Sequence, residues 1–172
     1  MLNPQVQEAL NAQVNAELYS WYLYLSMAAY FEAESLSGFA NWMRIQAGEE
    51  MTHAMKFYDF IVARNGRVTL KPIDGPATTW ASPLAVFEEA YQHEQKVTGL
   101  IHQIADLALK EADHATHSFL KWFIDEQVEE EASADRIVQD LRRAEGSGVA
   151  LLLLDREMAQ RTAAPAEGEG AA

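Results

Sequence analysis

Glu50 and His53 stand three residues apart in a segment that runs from Pro4 to Arg64 without an internal proline. On an α-helix that spacing places both side chains on one face, a turn apart, where a carboxylate and an imidazole can share a metal ion. Glu17 lies in an earlier part of the same segment, and Glu94 and Glu130 lie further on, the last preceded at three residues by Gln127. A single Glu-x-x-His is common, and a single acid on an apolar face is usually a surface residue or one half of a salt bridge. What matters is whether separate elements bring these groups to one place.

A helical bundle builds its core from positions spaced alternately four and three apart. That register gives Leu10, Val14, Glu17, Trp21, Tyr24 and Ala28 in the first helix, and Phe39, Met43, Gln46, Glu50, His53, Phe57 and Phe60 in the second. It gives Leu84, Phe87, Tyr91, Glu94, Thr98 and Ile101 in the third. The fourth reads Thr116, Leu120, Phe123, Gln127, Glu130, Ala134, Ile137 and Leu141. Each seam is mostly apolar towards its ends and polar near its middle. Measured from the ends that would lie side by side, the four glutamates differ by one to four residues, about 1.5–6 Å along a helix axis. Four carboxylates gathered in a core are strongly unfavourable unless protonated, paired or bound to cations. The seams hold no Lys or Arg. A pair of divalent or trivalent ions satisfies the arrangement directly, and one His among oxygen donors suits iron or manganese better than calcium or magnesium.

The elements that position these groups are legible from caps and breakers. Asn3-Pro4 and Ser82-Pro83 each read as an N-cap followed by proline in the first turn. Asn65-Gly66 and Gly146-Ser147-Gly148 interrupt the pattern. Four long helices are predicted near 4–33, 37–64, 83–111 and 114–144, with a short fifth near 148–160. Arg67–Leu70 is the only stretch with strand-like alternation. Short joints make the first and second helices antiparallel, and the third and fourth likewise. The 17 residues from Asn65 to Ala81 span up to about 55 Å extended, against about 42 Å for a 28-residue helix. The loop therefore crosses the bundle from end to end and leaves the second and third helices parallel. The fold class is all-α, a four-helix bundle with one long crossover and a short C-terminal helix.

The chain has 172 residues, 13 basic and 26 acidic, with a formal net charge of −13 and no Cys. One domain over residues 1–161 is expected, followed by a disordered tail at 162–172 composed of little besides Ala, Pro, Glu and Gly. The charge argues against a nucleic-acid partner. Without Cys there are no disulfides, thiolate metal sites or thiol nucleophiles. The apolar run Val149–Leu154 is far short of the roughly 20 residues of a membrane span, and no secretory signal opens the sequence, so a cytoplasmic location is expected.

With these residues in view the sequence resembles the bacterial non-haem branch of the ferritins. The resemblance is carried by Glu17-Leu18-Tyr19 through Tyr24, Glu49-Glu50-Met51-Thr52-His53, Tyr91-Gln92-His93-Glu94-Gln95, and Phe119-Leu120-Lys121-Trp122-Phe123 leading into Glu126-Gln127-Val128-Glu129-Glu130-Glu131. It implies a ferroxidase that oxidises Fe(II) with oxygen or peroxide and stores ferric mineral in a 24-subunit homo-oligomeric shell. Glu17, Glu50 and His53 would hold one iron, and Glu50 would bridge to a second completed by Glu94 and Glu130. Gln127 would sit beside the pair, and Glu49, Glu126, Glu129 and Glu130 would hold a third iron. Tyr24 would supply an electron, with Trp122 close by. Val149–Leu154 would line a fourfold axis. His114, His117, Glu111 and Asp113 would lie near a threefold pore or simply form a solvated turn. The fourth helix carries Gln127-x-x-Glu130 where bacterioferritins place a second Glu-x-x-His. A haem-containing bacterioferritin, with Met51 as the haem ligand, or a di-iron peroxidase is the alternative. Trp21, Phe57 and Phe123 are expected in the core, and His93 and His102 at the surface or an interface.

Overall fold

The computed structural model describes residues 2–163. The predicted disordered tail lies, beyond position 163, outside the described residues. Five helices appear, α1 (Pro4–Ala33), α2 (Ser37–Ala63), α3 (Pro83–Lys110), α4 (His114–Ala144) and α5 (Gly148–Met158), with no strand among the described residues. Arg67–Leu70, the one strand-like stretch, is loop. The two predicted caps are present: Asn3 accepts from the Gln5 N–H and Ser82 from the Ala85 N–H, each ahead of a proline in the first turn. Three helices stop without proline or glycine at the turning residue. Ser35, Asn65 and Ala112 adopt φ of 60°, 55° and 53°. The following N–H groups (Leu36, Gly66, Asp113) then reach back to Phe31, Ile61 and Ala108 at 2.8–2.9 Å, which satisfies the carbonyls a helix end leaves open.

The core is two apolar clusters with a polar layer between them. One gathers the end of α1 (Leu23, Met27, Phe31), the start of α2 (Phe39, Met43), the start of α3 (Val86, Phe87) and the end of α4 (Ile137, Leu141). The other gathers the start of α1 (Val6, Leu10, Val14), the end of α2 (Phe57, Ile61), the end of α3 (Ile101, Ile104) and the start of α4 (Leu120, Phe123). α2 and α3 therefore run parallel, as the long connection requires. That connection is pinned along α1. Gln7 and Asn11 bond the backbone of Arg67 and Thr69, Ser26 donates to the Ala77 carbonyl at 2.6 Å, and Trp80 packs edge-on against Tyr30. Where the register placed Trp21, Phe60, Leu84, Tyr91 and Thr98 in the seam, these five are only partly buried. Real helices turn 3.6 residues per repeat and drift from a strict heptad, so Leu23 and Ile61 take the inner positions beside Trp21 and Phe60.

α5 docks on the opening of α2. The Asp155 carboxylate accepts the N–H groups of Gly38 and Phe39 at 2.8 and 3.0 Å, a capping role at a helix N-terminus that lacks a side-chain cap of its own. A Cβ on Gly38 would sit 1.6 Å from the Asp155 carbonyl oxygen, backbone that cannot swing aside. Gly38→Ala is expected to displace α5 and destabilise the chain by roughly 1–3 kcal/mol, read as a lower Tm and faster proteolysis after Ala144. Leu151 and Leu154 pack on the bundle, while Val149, Leu152 and Leu153 stay exposed.

Candidate metal centre

The layer between the two clusters holds Glu17, Glu50, His53, Glu94, Gln127 and Glu130, all buried, Glu130 being the most open at 7 %. Among the described residues, Glu17, Glu50 and His53 form the only group of three or more His or acidic side chains with ligand atoms within 4.8 Å of one another. Glu94 and Glu130 adjoin it through charge, since both push the Glu50 carboxyl up after burial has done so. Burial, then the Glu50 charge, pushes Glu17 up to about 8. Burial is also the first cause raising Glu94 and Glu130 to about 7. Each value reflects an acid removed from water beside other acids.

The acids are held by amides. Gln13 donates to Glu17 at 2.8 Å. Gln46, wholly buried, donates from one nitrogen to Glu50 at 3.2 Å and to Glu130 at 2.9 Å. Gln127 donates to the Glu94 carboxylate and to the Thr98 hydroxyl, both at 3.2 Å. The Tyr24 hydroxyl donates to Glu94, and burial followed by the Glu94 charge holds that phenol in its protonated form. The His53 ring is gripped edge-on by Trp122 and Phe123, with centroids at 5.4 and 5.9 Å. One acceptor is left over. Glu17 Oε2 is buried with no hydrogen-bond partner among the described residues. A buried carboxylate oxygen without a donor calls for a proton or a cation, and the mixed O/N donor set fits iron.

The acids expected at a third position are more open. Glu49 and Glu126 are partly buried and Glu129 is exposed. They are near enough that Glu129 and Glu49 both raise Glu126 after burial, but they are not gathered as tightly as the first group. His93, expected at the surface or an interface, is partly buried within the subunit. Its Nε2 lies 2.8 Å from Ser20 Oγ and its ring meets Tyr24 edge-on. Burial, then Lys96, pushes it down to about 4, so it is neutral and braces the tyrosine. Of the groups at the α3–α4 joint, Asp113 pairs with Arg64 at 3.0 Å and Glu111 accepts from Asn3 at 2.8 Å, as in a capped turn.

Gln13 carries no mark in the sequence other than its place four residues before Glu17, as Gln46 lies four before Glu50. That repeated i, i+4 spacing is the signal that identifies both.

Known proteins resemble this chain along nearly its whole length. The Ferritin-like domain family matches residues 7–144. A bacterial non-heme ferritin of Bacteroides fragilis is 44% identical over 161 residues, 94% of this chain and 100% of its own. One of Staphylococcus saprophyticus is 41% identical over 162 residues, 94% of this chain and 97% of its own. Among solved structures, an open-pore ferritin from the hyperthermophilic archaeon Archaeoglobus fulgidus superposes with a TM-score of 0.93 at 51% identity, covering 94% of this chain and 100% of that one. With a matching family over most of its length and relatives aligned almost end to end, this chain belongs to the ferritin family.

Proposed function

We propose that this protein is an iron-storage ferritin whose substrate, Fe(II), is oxidised by oxygen or peroxide at a carboxylate-bridged pair of sites inside each subunit. Iron storage follows from family membership, and the buried layer of four carboxylates with one imidazole carries the finer reading. Glu17, Glu50 and His53 bind one ferrous ion, and Glu50 is shared with a second bound by Glu94 and Glu130. Two adjacent ions can deliver two electrons to one oxidant, and carboxylates favour the harder ferric product.

The chain's own groups set the geometry. Gln13, Gln46 and Gln127 donate to the carboxylates and fix which oxygens face inward, while Trp122 and Phe123 stop the His53 ring from turning. Gln127 points an amide nitrogen at Glu94 and so positions that ligand. Tyr24 touches Glu94 through its hydroxyl. If its ring gives an electron to the oxidant, that proton passes to the carboxylate it already contacts. Glu49, Glu126, Glu129 and Glu130 form a looser third position on the way to storage.

The assembly is a homo-oligomer of 24 chains of 19.2 kDa, about 460 kDa. The exposed Val149, Leu152 and Leu153 of α5 are covered at its fourfold axis, because a bare apolar patch on a short helix is otherwise unfavourable. The cytoplasm is the proposed location. No described helix is long and apolar enough to cross a membrane.

Anaerobic titration with Fe(II), followed by oxygen, tests the centre. Two tightly bound ions per chain and a weaker third are expected, with a fast oxidation phase equivalent to the tight pair. Fewer than one tight ion per chain would overturn the reading.

A further inference from the structure

The C-terminal end of the described chain reaches α2 at three successive levels. Asp155 caps its first N–H groups. Asn41 then donates to the carbonyls of Met158 and Arg161 at 3.4 and 3.1 Å. Beyond it the Arg161 guanidinium lies over the Trp42 ring, its central carbon 4.3 Å from the ring centre, and donates to the Trp42 carbonyl at 3.3 Å. From the same group Nη2 donates to Gln46 Oε1 at 2.9 Å and to Glu49 Oε2 at 2.6 Å.

These contacts differ from an ordinary surface ion pair in two ways. Arg161 and Glu49 are largely shielded, with side chains 23% and 27% exposed, and the guanidinium is fixed from three directions. Its other partner, Gln46, is the buried amide that serves the iron ligands. The Gln46 oxygen accepts from the cation, so its nitrogen faces Glu50 and Glu130. Reversing the amide would set an oxygen against two carboxylates and an NH₂ against a guanidinium. Glu49 in turn lies within electrostatic reach of Glu126 and Glu130. Arg161 therefore stands where the paired sites meet the looser acids of the third position.

We propose that Arg161 is a tethered cation that occupies Glu49 while the third position is empty, so that iron settles there only by displacing it. The inference rests on the proposed reading of the centre. A guanidinium is monovalent and its grip depends on geometry, whereas Fe(II) is divalent and gains from every oxygen it meets. The competition makes occupation of the third position depend on iron supply. Positive charge arriving at Glu50 and Glu130 opposes the guanidinium across Gln46, so filling of the pair weakens its hold, and by linkage the two events favour one another. The cationic strap thus sets a threshold of iron supply for the third position.

The test is calorimetric titration of the intact assembled protein with Fe(II) under anaerobic conditions, comparing the parent with Arg161→Gln and Arg161→Lys. Removing the competing charge is expected to tighten the third ion by about tenfold in Arg161→Gln, with the first two ions tightened by less through the same coupling across Gln46. Arg161→Lys keeps a cation but loses the stack and the fork, and is expected to tighten it by about threefold. Should Arg161→Gln not assemble, Arg161→Lys carries the comparison alone. Two tight ions in every protein with an unchanged, weaker or absent third would overturn the tethered cation and leave the paired sites standing. Absence of tight binding in the parent would overturn both.

Discussion

Glu50→Ala is expected to slow the fast phase of Fe(II) oxidation at least about 100-fold while leaving the assembly intact. Glu50 is the one acid that belongs to both halves of the layer. It is within 4.8 Å of ligand atoms of Glu17 and His53 on one side and feels the charges of Glu94 and Glu130 on the other. In the proposed centre, neither ion would keep a full set of ligands without it, and nothing would hold the two at the separation a two-electron step needs. Loss of rate would ordinarily be open to the objection that the variant is misfolded. Here the signs differ. Glu50 is buried among acids, so its removal relieves repulsion, and the iron-free variant is expected to melt no lower than the parent at pH 8. Stability kept or gained with activity lost marks a group retained for function. Stopped-flow oxidation together with iron-free Tm values checks both halves, and a rate within threefold of the parent would overturn the assignment of Glu50 as the shared ligand.

The long helices and their polar middles were readable because a bundle imposes one period on all its members. Glu17, Glu50, Glu94 and Glu130 break that period at one height, and no local fold requirement explains the breach. The caps at Asn3 and Ser82 were readable because proline follows each. The ends at Ser35 and Ala112 carry no such mark. Their left-handed conformation is imposed by the helix that must turn there and is not a preference of serine or alanine. Drift of the heptad turns Trp21 partly out of the seam, and the contact of His93 was hidden because a lone polar residue beside a seam does not reveal that Ser20 on a neighbouring helix will meet it. The docking of α5 was hidden for a related reason. Asp155 and Arg161 look like ordinary surface charges until the path of the chain after Ala144 brings them to α2.

The iron-free protein is expected to lose stability as the pH rises from about 5 to 8, whereas the iron-loaded protein does not. In the folded chain Glu17 keeps its proton to about 8 and Glu94 and Glu130 keep theirs to about 7. In the unfolded chain the same carboxyls release theirs near 4.5. Between these limits the folded state binds more protons than the unfolded one, so unfolding becomes easier with each rise in pH. Below about 4.5 both states are protonated and the penalty vanishes. Above about 8 both are ionised and it is constant. Holding one carboxyl at about 8 instead of 4.5 corresponds to on the order of 5 kcal/mol across the window. Metal inverts the relation, because its ligands bind as carboxylates and its affinity grows as protons leave. Glu17→Gln isolates the effect, since the amide keeps the shape and the hydrogen bond from Gln13 but cannot ionise. Iron-free Glu17→Gln is expected to melt roughly 10 °C above the iron-free parent at pH 8.5 and close to it at pH 4.5, a gap that iron closes in the parent. Melting curves at both pH values, with and without anaerobic Fe(II), decide the matter. A difference independent of pH would mean that the Glu17 carboxyl is ionised in the folded, iron-free protein, leaving the layer with less need of a cation.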